Sequence, residues 1–439
     1  MSSKKIYDSD FMYRSLRHIV DFFFRRSYKK LLRVGKENVP KDGAVIYAPN
    51  HCNALMDALA VLNIDNHRKV FVARADIFKK PLLKKFLTFI KIMPIHRIRD
   101  GFRNVANAGQ TIEKSIEVLN NQVPFCILPE GTHRPMHSML PITKGIARIA
   151  LGADKGLKDG KHVYIVPVGC EYGDYYRYRS TLLVNIGKPV DITAYAASHT
   201  DLSEADLTIG IRALTGEAIR QQIVWLPDDA EYDASWELCR LESGRIPERR
   251  NLERFEANRR TAQLIGGLRA DNPDKARRLL DKATAFLQAR REAKVSHHAV
   301  RAKRPLGAAL WRTLVALVML PFALAFSAVS LPGWAGAEAL ASTAKDHSFH
   351  NSLRYGVLLL LWTPILLIAA IVLFCLVKWY WVLAGLVVML VAPALTFQWF
   401  EQMRRLASAW RYAGNARLRR QKEDLLNELN ELKDTKETI

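Results

Sequence analysis

A histidine and an aspartate stand six positions apart in the segment "YAPNHCNALMDALAVL". His51 and Asp57 follow a short apolar run, and Asn53 is a good N-cap for a helix that would carry Asp57 in its first turns. A carboxylate placed in this way holds one ring nitrogen of the histidine and leaves the other to take a proton from a substrate hydroxyl. The pair alone is also typical of a surface histidine beside a helix cap. Other segments of the sequence are needed to distinguish this arrangement from a catalytic pair.

Further segments carry residues that suit an anionic ligand. "PIHRIRDG" and "ILPEGTHRP" each follow an apolar run, and "MLPITKGIARIAL" and "YIVPVGCE" come later in the chain. Gly131 and Thr132 let the backbone approach a ligand closely, and the guanidinium of Arg134 can form two hydrogen bonds to a phosphate. The candidate residues in these segments are Arg97, Arg99, Glu130, Gly131, Thr132, Arg134, Lys144, Val166, Pro167 and Val168.

An α/β domain must position these residues. Short apolar runs, among them residues 44–48, "KVFVAR" and "TLLVNIG", alternate with helical patterns such as residues 105–119. This alternation predicts a largely parallel sheet flanked by helices, and such folds place their chemistry just after the carboxyl ends of the strands. We predict that this domain covers residues 36–193.

The segments, in this order and at these intervals, resemble those of the glycerolipid acyltransferase superfamily, which includes lysophosphatidic acid and glycerol-3-phosphate acyltransferases. The resemblance covers roughly residues 34–190. Most members have four residues between the histidine and the aspartate, whereas this chain has five. A small bulge before the helix would absorb the extra residue. The variant "NHCNALMD" and the "PIHR" segment are most similar to the fungal glycerol-3-phosphate/dihydroxyacetone-phosphate acyltransferases.

The resemblance implies roles for individual residues. His51 is then the general base that deprotonates the acceptor hydroxyl, and Asp57 orients and charge-stabilises it. The residues implied to bind the acceptor and its phosphate are Arg97, Glu130, Gly131, Thr132, Arg134 and Lys144. The residues implied to shape the acyl side are Val166, Pro167 and Val168. No metal and no cofactor are expected, because the acyl donor, acyl-CoA or acyl-carrier protein, is a co-substrate.

The expected reaction is transfer of a fatty acyl group from an acyl thioester to the sn-1 hydroxyl of glycerol-3-phosphate or dihydroxyacetone phosphate, in phospholipid synthesis. An alternative with the same chemistry is a 1-acylglycerol-3-phosphate (lysophospholipid) acyltransferase. A further alternative is a non-catalytic lipid-binding protein on the same fold. The spacing of the first motif favours the first reaction, and the intact set of polar residues argues against the third possibility.

The charge balance and two apolar runs point to a membrane. Lys and Arg outnumber Asp and Glu by 65 to 43, and a net charge of +22 indicates an anionic partner. Residues 355–377 contain no charge and are long enough to cross a bilayer core, and residues 379–398 follow as the second arm of a hairpin. We therefore expect anionic membrane lipids as partners. Nucleic acid is not expected, because no basic strand interleaved with aromatic residues is present.

The other segments are assigned by composition. Residues 9–35 alternate apolar and basic positions, which is typical of an amphipathic helix on anionic lipid or of a helix that covers the core. Residues 194–304 form a charged helical extension, and residues 305–400 contain the membrane segments. Residues 401–439 form a basic tail that the positive-inside rule places in the cytoplasm.

Localisation follows from this organisation and from the cysteines. The five cysteines form no paired pattern, which indicates reduced thiols and a cytosolic soluble part. We expect a bacterial inner-membrane protein with a cytoplasmic catalytic domain, or an endoplasmic reticulum protein if the source is eukaryotic. A catalytic domain and a tail on the same side require an even number of crossings. We therefore expect residues 314–331 to be re-entrant or interfacial.

Overall fold

The computed structural model describes residues 5–8, 11–95, 105–158, 160–344 and 346–437, and these form two compact units. The first, which we call the α/β unit, contains the described residues up to Ile223 together with Asp346–Tyr355. The second, the helical unit, contains the described residues from Val224 to the start of that segment and from Gly356 onward.

One sheet and its helices make up the α/β unit. The strands are β1 (Tyr28–Val34), β2 (Ala44–Pro49), β3 (Val70–Arg74), β4 (Ile92–Ile95), β5 (Phe125–Cys126), β6 (Val163–Tyr172), β7 (Ser180–Ile186) and β8 (Val190–Asp191). The helices are α1 (Phe11–Arg26), α2 (Leu55–Leu62), α3 (Pro81–Phe89), α4 (Val105–Asn120), α5 (Lys144–Gly156), α6 (Ile192–Ala197) and α7 (Glu204–Arg220).

The strands lie in the order β1-β7-β6-β2-β5-β3-β4, and β8 pairs with β6. Most neighbours are parallel; β6 runs antiparallel to β7 and to β8. This confirms the predicted fold class, a largely parallel sheet flanked by helices. Because β2, β5 and β6 are parallel neighbours, the loops that follow their carboxyl ends meet at one edge of the sheet.

The centre of the sheet is fully apolar because both of its faces are covered. Ile46, Phe125 and Ile165 on adjacent strands have no solvent exposure, and Ile146 and Ile149 of α5 join the same core. This packing fixes the central strands, and with them the loops at their carboxyl ends.

Two boundaries differ from those predicted. The helix predicted over residues 9–35 ends at Arg26, and residues 28–34 form β1 instead, because they pair in parallel register with β7. The α/β unit also extends past residue 193, since Ile211 and Ile219 of α7 lie in its core.

The helical unit begins with charged helices, as predicted. Its helices are α8 (Tyr232–Ser243), α9 (Asn251–Asp271), α10 (Pro273–Glu292), α11 (His297–Val300), α12 (Pro305–Ser342), α14 (Thr363–Leu376), α15 (Trp379–Gly414) and α16 (Ala416–Glu437), and α13 (His350–Val357) joins the two units. In the last helix, α16, Leu425 and Leu429 are buried in one core with Leu279 and Phe286 of α10.

Three helical segments are long and apolar enough to cross a membrane: Pro305–Leu331, His347–Leu376 and Trp379–Gly414. The first lies in α12, which is continuous from Pro305 to Ser342. The interfacial or re-entrant placement of residues 314–331 remains a prediction. Large apolar side chains such as Trp311, Phe322 and Phe374 are exposed on these helices, as expected of surfaces that face lipid.

Candidate active site

His51 and Asp57 face each other at the carboxyl end of β2. Nδ1 of His51 lies 2.9 Å from Oδ2 of Asp57, and the aspartate is fully buried whereas the histidine side chain is 14% exposed. The carboxylate therefore holds Nδ1 of the ring, and Nε2 is left for proton transfer.

The Asp57 carboxylate is held by several other donors. The backbone N–H groups of Cys52 and Asn53 donate to Oδ2 at 2.8 and 2.7 Å, and the hydroxyl of Tyr172 donates to Oδ1 at 2.8 Å. Hydrogen bonds of this kind to a buried charge fix its orientation and offset its desolvation. Asp57 is therefore a rigid partner for the imidazole of His51.

The additional residue between His51 and Asp57 is accommodated at Ala54. This residue has a φ of 44° and a ψ of −122°, and helix α2 begins immediately after it, at Leu55. The predicted N-cap at Asn53 is wrong, because the Asn53 amide donates instead to the carbonyl of Tyr175 at 2.9 Å. A left-handed backbone at this point turns the chain so that Asp57 still faces the histidine.

The segment "PEGTHR" after β5 forms hydrogen bonds to both the N–H and the carbonyl of His51. Oε1 of Glu130 accepts the His51 N–H at 2.7 Å, and the Arg134 N–H donates to the His51 carbonyl at 3.0 Å. The second oxygen of Glu130 accepts from the N–H of Leu140 at 2.8 Å. Burial raises the pKa of Glu130 above its usual value, although the two N–H donors oppose this shift. Both Glu130 oxygens thus bind backbone N–H groups, and its predicted contact with a substrate remains a prediction.

The other residues predicted to bind the acceptor lie on the same loop or just after it. Gly131 has a φ of 68°, a conformation that glycine adopts without strain, and Thr132 beside it is half-buried. A side-chain nitrogen of Arg134 donates to the Ser138 hydroxyl at 2.6 Å. Lys144 is the exposed first residue of α5. Their roles toward an acceptor phosphate remain predictions.

Comparison with known proteins identifies this unit. Residues 31–171 match the family model described as Acyltransferase. This part of the chain is an acyltransferase domain. The match confirms the resemblance to the glycerolipid acyltransferase superfamily. Among solved structures, the chain is similar to the 1-acyl-sn-glycerophosphate (LPA) acyltransferase PlsC from Thermotoga maritima, with 21% sequence identity and a TM-score of 0.35, over 48% of this chain and 78% of that one. No curated protein matches the chain.

Val166, Pro167 and Val168 belong to the core of the acyltransferase domain. All three are buried in β6, in register with residues 47–49 of β2, and the Val168 carbonyl accepts from the Asn50 N–H at 3.1 Å. They therefore fix the strand end that carries His51. The predicted role on the acyl side of the site remains a prediction.

Arg97, Arg99 and Cys52 complete the residues of the predicted segments. Arg97 and Arg99 lie outside the described residues. Cys52 is buried beside the dyad, and burial, with the nearby Asp57 charge, raises the pKa of its thiol well above the usual value. Such a thiol stays protonated and is a poor nucleophile. Within the described ranges, no group of three or more His, Cys, Asp or Glu is placed to hold a metal ion.

Several residues near the dyad were not predicted from the sequence. Tyr172 reaches Asp57 from the end of β6, and the ring of His133 packs edge-on against that of His51, with centroids 5.3 Å apart. Asp346 in turn accepts a hydrogen bond from His133 at 2.8 Å. His133 lies in the segment "ILPEGTHRP", which the sequence analysis assigned to the site, so it could have been included among the candidates. Tyr172 and Asp346 lie outside the residues selected as candidates, and the sequence gives no reason to place them near the dyad.

Proposed function

We propose that this protein is a membrane-bound acyltransferase that moves a fatty acyl group from an acyl thioester to the sn-1 hydroxyl of glycerol-3-phosphate or dihydroxyacetone phosphate. The observation that carries the proposal is the 2.9 Å contact between His51 Nδ1 and Asp57 Oδ2 within an acyltransferase domain. The resemblance of the motif to the fungal enzymes supports the choice of acceptor.

In the proposed reaction, His51 acts as the general base. Its Nδ1–H donates to Asp57, and Nε2 takes the proton of the acceptor hydroxyl as the hydroxyl oxygen attacks the thioester carbonyl carbon. A carbon–oxygen bond forms, the carbon–sulfur bond breaks, and the departing thiolate receives the proton from His51 Nε2. Asp57 stabilises the imidazolium that exists between these two proton transfers.

The backbone clamp on His51 gives this step a fixed geometry. Glu130 holds the N–H of His51 and Arg134 holds its carbonyl, so that the backbone is fixed relative to the sheet, and Asp57 holds the ring. A base held in this way saves much of the entropy cost of aligning it with the bound alcohol. The adjacent loop contributes the guanidinium of Arg134, which we propose binds the acceptor phosphate together with Lys144 and Arg97.

The membrane attachment fits a substrate with a long acyl chain. Three candidate spanning helices and a net charge of +22 support binding to a bilayer with anionic lipids. We propose that the acyl donor, acyl-CoA or acyl-carrier protein, approaches from the aqueous side. The lipid product then passes directly into the bilayer.

The test is an assay of the full chain purified in detergent. Labelled acyl-CoA or acyl-carrier protein is incubated with glycerol-3-phosphate, dihydroxyacetone phosphate or lysophosphatidate, and we expect product with one of the first two. His51→Ala and Asp57→Asn should each lower kcat by about 10²- to 10⁴-fold.

A matched control is His162→Ala. His162 also pairs with an aspartate, since its Nδ1 lies 2.7 Å from Asp191 Oδ2, but it precedes β6 at the opposite edge of the sheet. This variant should keep its activity. Acylation of lysophosphatidate alone would overturn the acceptor and leave acyl transfer in place. Binding of lipid without transfer to any acceptor would make the protein a non-catalytic lipid-binding protein.

A further inference from the structure

A segment between the two apolar helices α12 and α14 belongs to the α/β unit. Asp346–Tyr355 follows α12 in the chain and precedes α14, yet it is part of the α/β unit. Arg354 donates to the carbonyl of Tyr176 at 2.6 Å, and the hydroxyl of Tyr355 donates to the carbonyl of Val20 at 3.0 Å. These hydrogen bonds to backbone carbonyls attach the segment to two separate parts of the unit.

The same segment reaches the loop that carries the catalytic dyad. The side-chain amides of Asn53 and Asn351 both donate to the carbonyl of Tyr175. Asn53 lies two positions after His51, and Asn351 is buried in the segment. One carbonyl therefore joins the histidine loop to residues that stand about 300 positions later in the chain.

Asp346 forms a second acid–histidine pair next to the first. Its Oδ2 lies 2.8 Å from Nε2 of His133, and its Oδ1 accepts the N–H of Ser348 at 2.9 Å. The ring of His133 packs edge-on against His51 on one side and against Phe349 on the other, with centroids 5.3 and 4.9 Å apart. Asp346 and Phe349 thus fix the ring that borders the proposed base.

The Asp346 carboxyl is ionised at neutral pH. Desolvation opposes this, but hydrogen bonds from Ser348 and His133 outweigh it and lower the pKa of Asp346 below its usual value. An ionised carboxylate accepts a hydrogen bond from Nε2–H of His133 and so orients the ring. The side chain of His133 is only 15% exposed, so this orientation is also protected by packing.

We propose that Asp346 is a positioning residue of the acyltransferase site, which holds His133 against His51 on the side where the acceptor binds. The proposal rests on the proposed function, since it assigns this ring a place beside the reacting hydroxyl. It makes Asp346–Tyr355, most of which belongs to the start of the candidate membrane helix His347–Leu376, part of the catalytic site. Removal of the Asp346 charge should then weaken use of the acceptor and leave use of the acyl donor unchanged.

The kinetic test compares Asp346→Asn, His133→Gln and the double variant in the detergent-purified full chain. Asn keeps the shape of Asp346 and can still accept the N–H of Ser348, so the local turn is retained. We expect kcat/KM for the acceptor that the wild type acylates, glycerol-3-phosphate or dihydroxyacetone phosphate, to fall about tenfold in each single variant, with the KM of the acyl donor unchanged. The double variant should be no worse than His133→Gln, because both changes remove the same effect.

The matched control is Asp191→Asn, which removes the charge from the other aspartate–histidine pair, at His162. Asn also caps helices, so α6 retains its N-cap, and this variant should match the wild type in kcat/KM and in melting temperature. Wild-type kinetics in Asp346→Asn would overturn the proposal. So would additive losses in the double variant, since they would show that Asp346 does not act through His133.

A second readout is independent of activity. In a Cys375→Ser background, His133→Cys and Asp346→Cys are introduced together, treated with a short bismaleimide, and analysed by peptide mass spectrometry. A cross-linked peptide is expected, and its absence would overturn the placement of the segment. If the wild type transfers no acyl group to any acceptor, the proposed function fails and the positioning role with it. The cross-link then reports separately whether the segment lies beside His133.

Discussion

The hydroxyl of Tyr172 donates a hydrogen bond of 2.8 Å to Oδ1 of Asp57, while the other oxygen of this carboxylate faces His51. Tyr172 is buried, and burial together with the Asp57 charge raises the pKa of its hydroxyl well above the usual value. The tyrosine therefore remains a donor at neutral pH. It fixes the aspartate from the side opposite to the base.

Removal of this hydroxyl should impair catalysis as well as stability. We expect Tyr172→Phe to lower kcat about tenfold and to lower the free energy of unfolding by about 1–3 kcal/mol, because a buried carboxylate oxygen loses a donor. Tyr47→Phe is the control, since the Tyr47 hydroxyl also donates to a carboxylate, that of Asp65, at 3.2 Å. This control should lose stability and keep its kcat. Equal kcat values in the two variants would contradict a role for Tyr172 in holding Asp57.

Glu130 should act on catalysis through the backbone of His51. Glu130→Gln leaves an amide in place of a carboxylate, and this amide cannot accept both the His51 and the Leu140 N–H groups. We expect kcat to fall about 10- to 100-fold because the base is displaced, with a smaller change in the acceptor KM. Glu113→Gln on the exposed face of α4 is the control and should have no effect. A variant with normal kcat and a greatly raised acceptor KM would instead assign Glu130 to substrate binding.

Ala54 is under backbone strain that glycine would relieve. Its φ of 44° lies in the left-handed region, where a side chain is unfavourable and glycine is not. We expect Ala54→Gly to raise the free energy of unfolding by about 1 kcal/mol, measured as a higher melting temperature, with activity retained. The control, Ala60→Gly inside the following helix α2, should lose about 1 kcal/mol. A lower melting temperature in Ala54→Gly would show that the conformation carries no strain.

Cys52 should be dispensable for acyl transfer. Its raised pKa keeps the thiol protonated, so alkylation of the native protein at pH 8.5 should leave Cys52 unmodified, as detected by peptide mass spectrometry. The same treatment in denaturant should modify it, since the thiol then regains its ordinary pKa. Cys52→Ser should keep kcat within about fivefold, because a hydroxyl can occupy the same site. Loss of all turnover with an intact fold would point to a covalent acyl intermediate.

The chain leaves the α/β unit at Ile223 and returns to it at Asp346. Because the α/β unit is compact, we expect Ile223 and Asp346 to lie on the same side of a bilayer. Among the described residues between them one helix, Pro305–Leu331, qualifies as a candidate span. A single complete crossing would separate parts of the same unit. We therefore predict that this helix does not cross completely and that residues 355–377 and 379–398 do.

Cysteine labelling in sealed vesicles checks this topology. In a Cys375→Ser background, single cysteines replace the exposed residues Lys303, Ser342 and Lys378, and an impermeant maleimide is added from outside. Lys303→Cys and Ser342→Cys should be labelled from the same side. Lys378→Cys, between α14 and α15, should be labelled from the other. Labelling of the first two from opposite sides would contradict the prediction.

The sequence alone determined the α/β fold class, the dyad residues and the apolar helices. These depend on local signals: the alternation of strand and helix patterns, and long runs without charge. The resemblance to acyltransferases depends on the order and spacing of several short segments, among them "NHCNALMD" and "ILPEGTHRP". Errors arose where local propensity competes with pairing, as in residues 28–34, which form a strand because β7 lies beside them. Asn53 likewise has cap propensity and bonds to Tyr175 instead.

Only the tertiary structure decided what surrounds the dyad. Tyr172 stands 115 positions from Asp57, and Asp346 stands 213 positions from His133, yet each pair is within hydrogen-bond distance. Contacts at such separations depend on the order of the strands in the sheet and on the point at which the chain re-enters the α/β unit. Neither is encoded in the spacing of residues along one element, because periodicity reports which face of an element is buried and not which distant residue covers it.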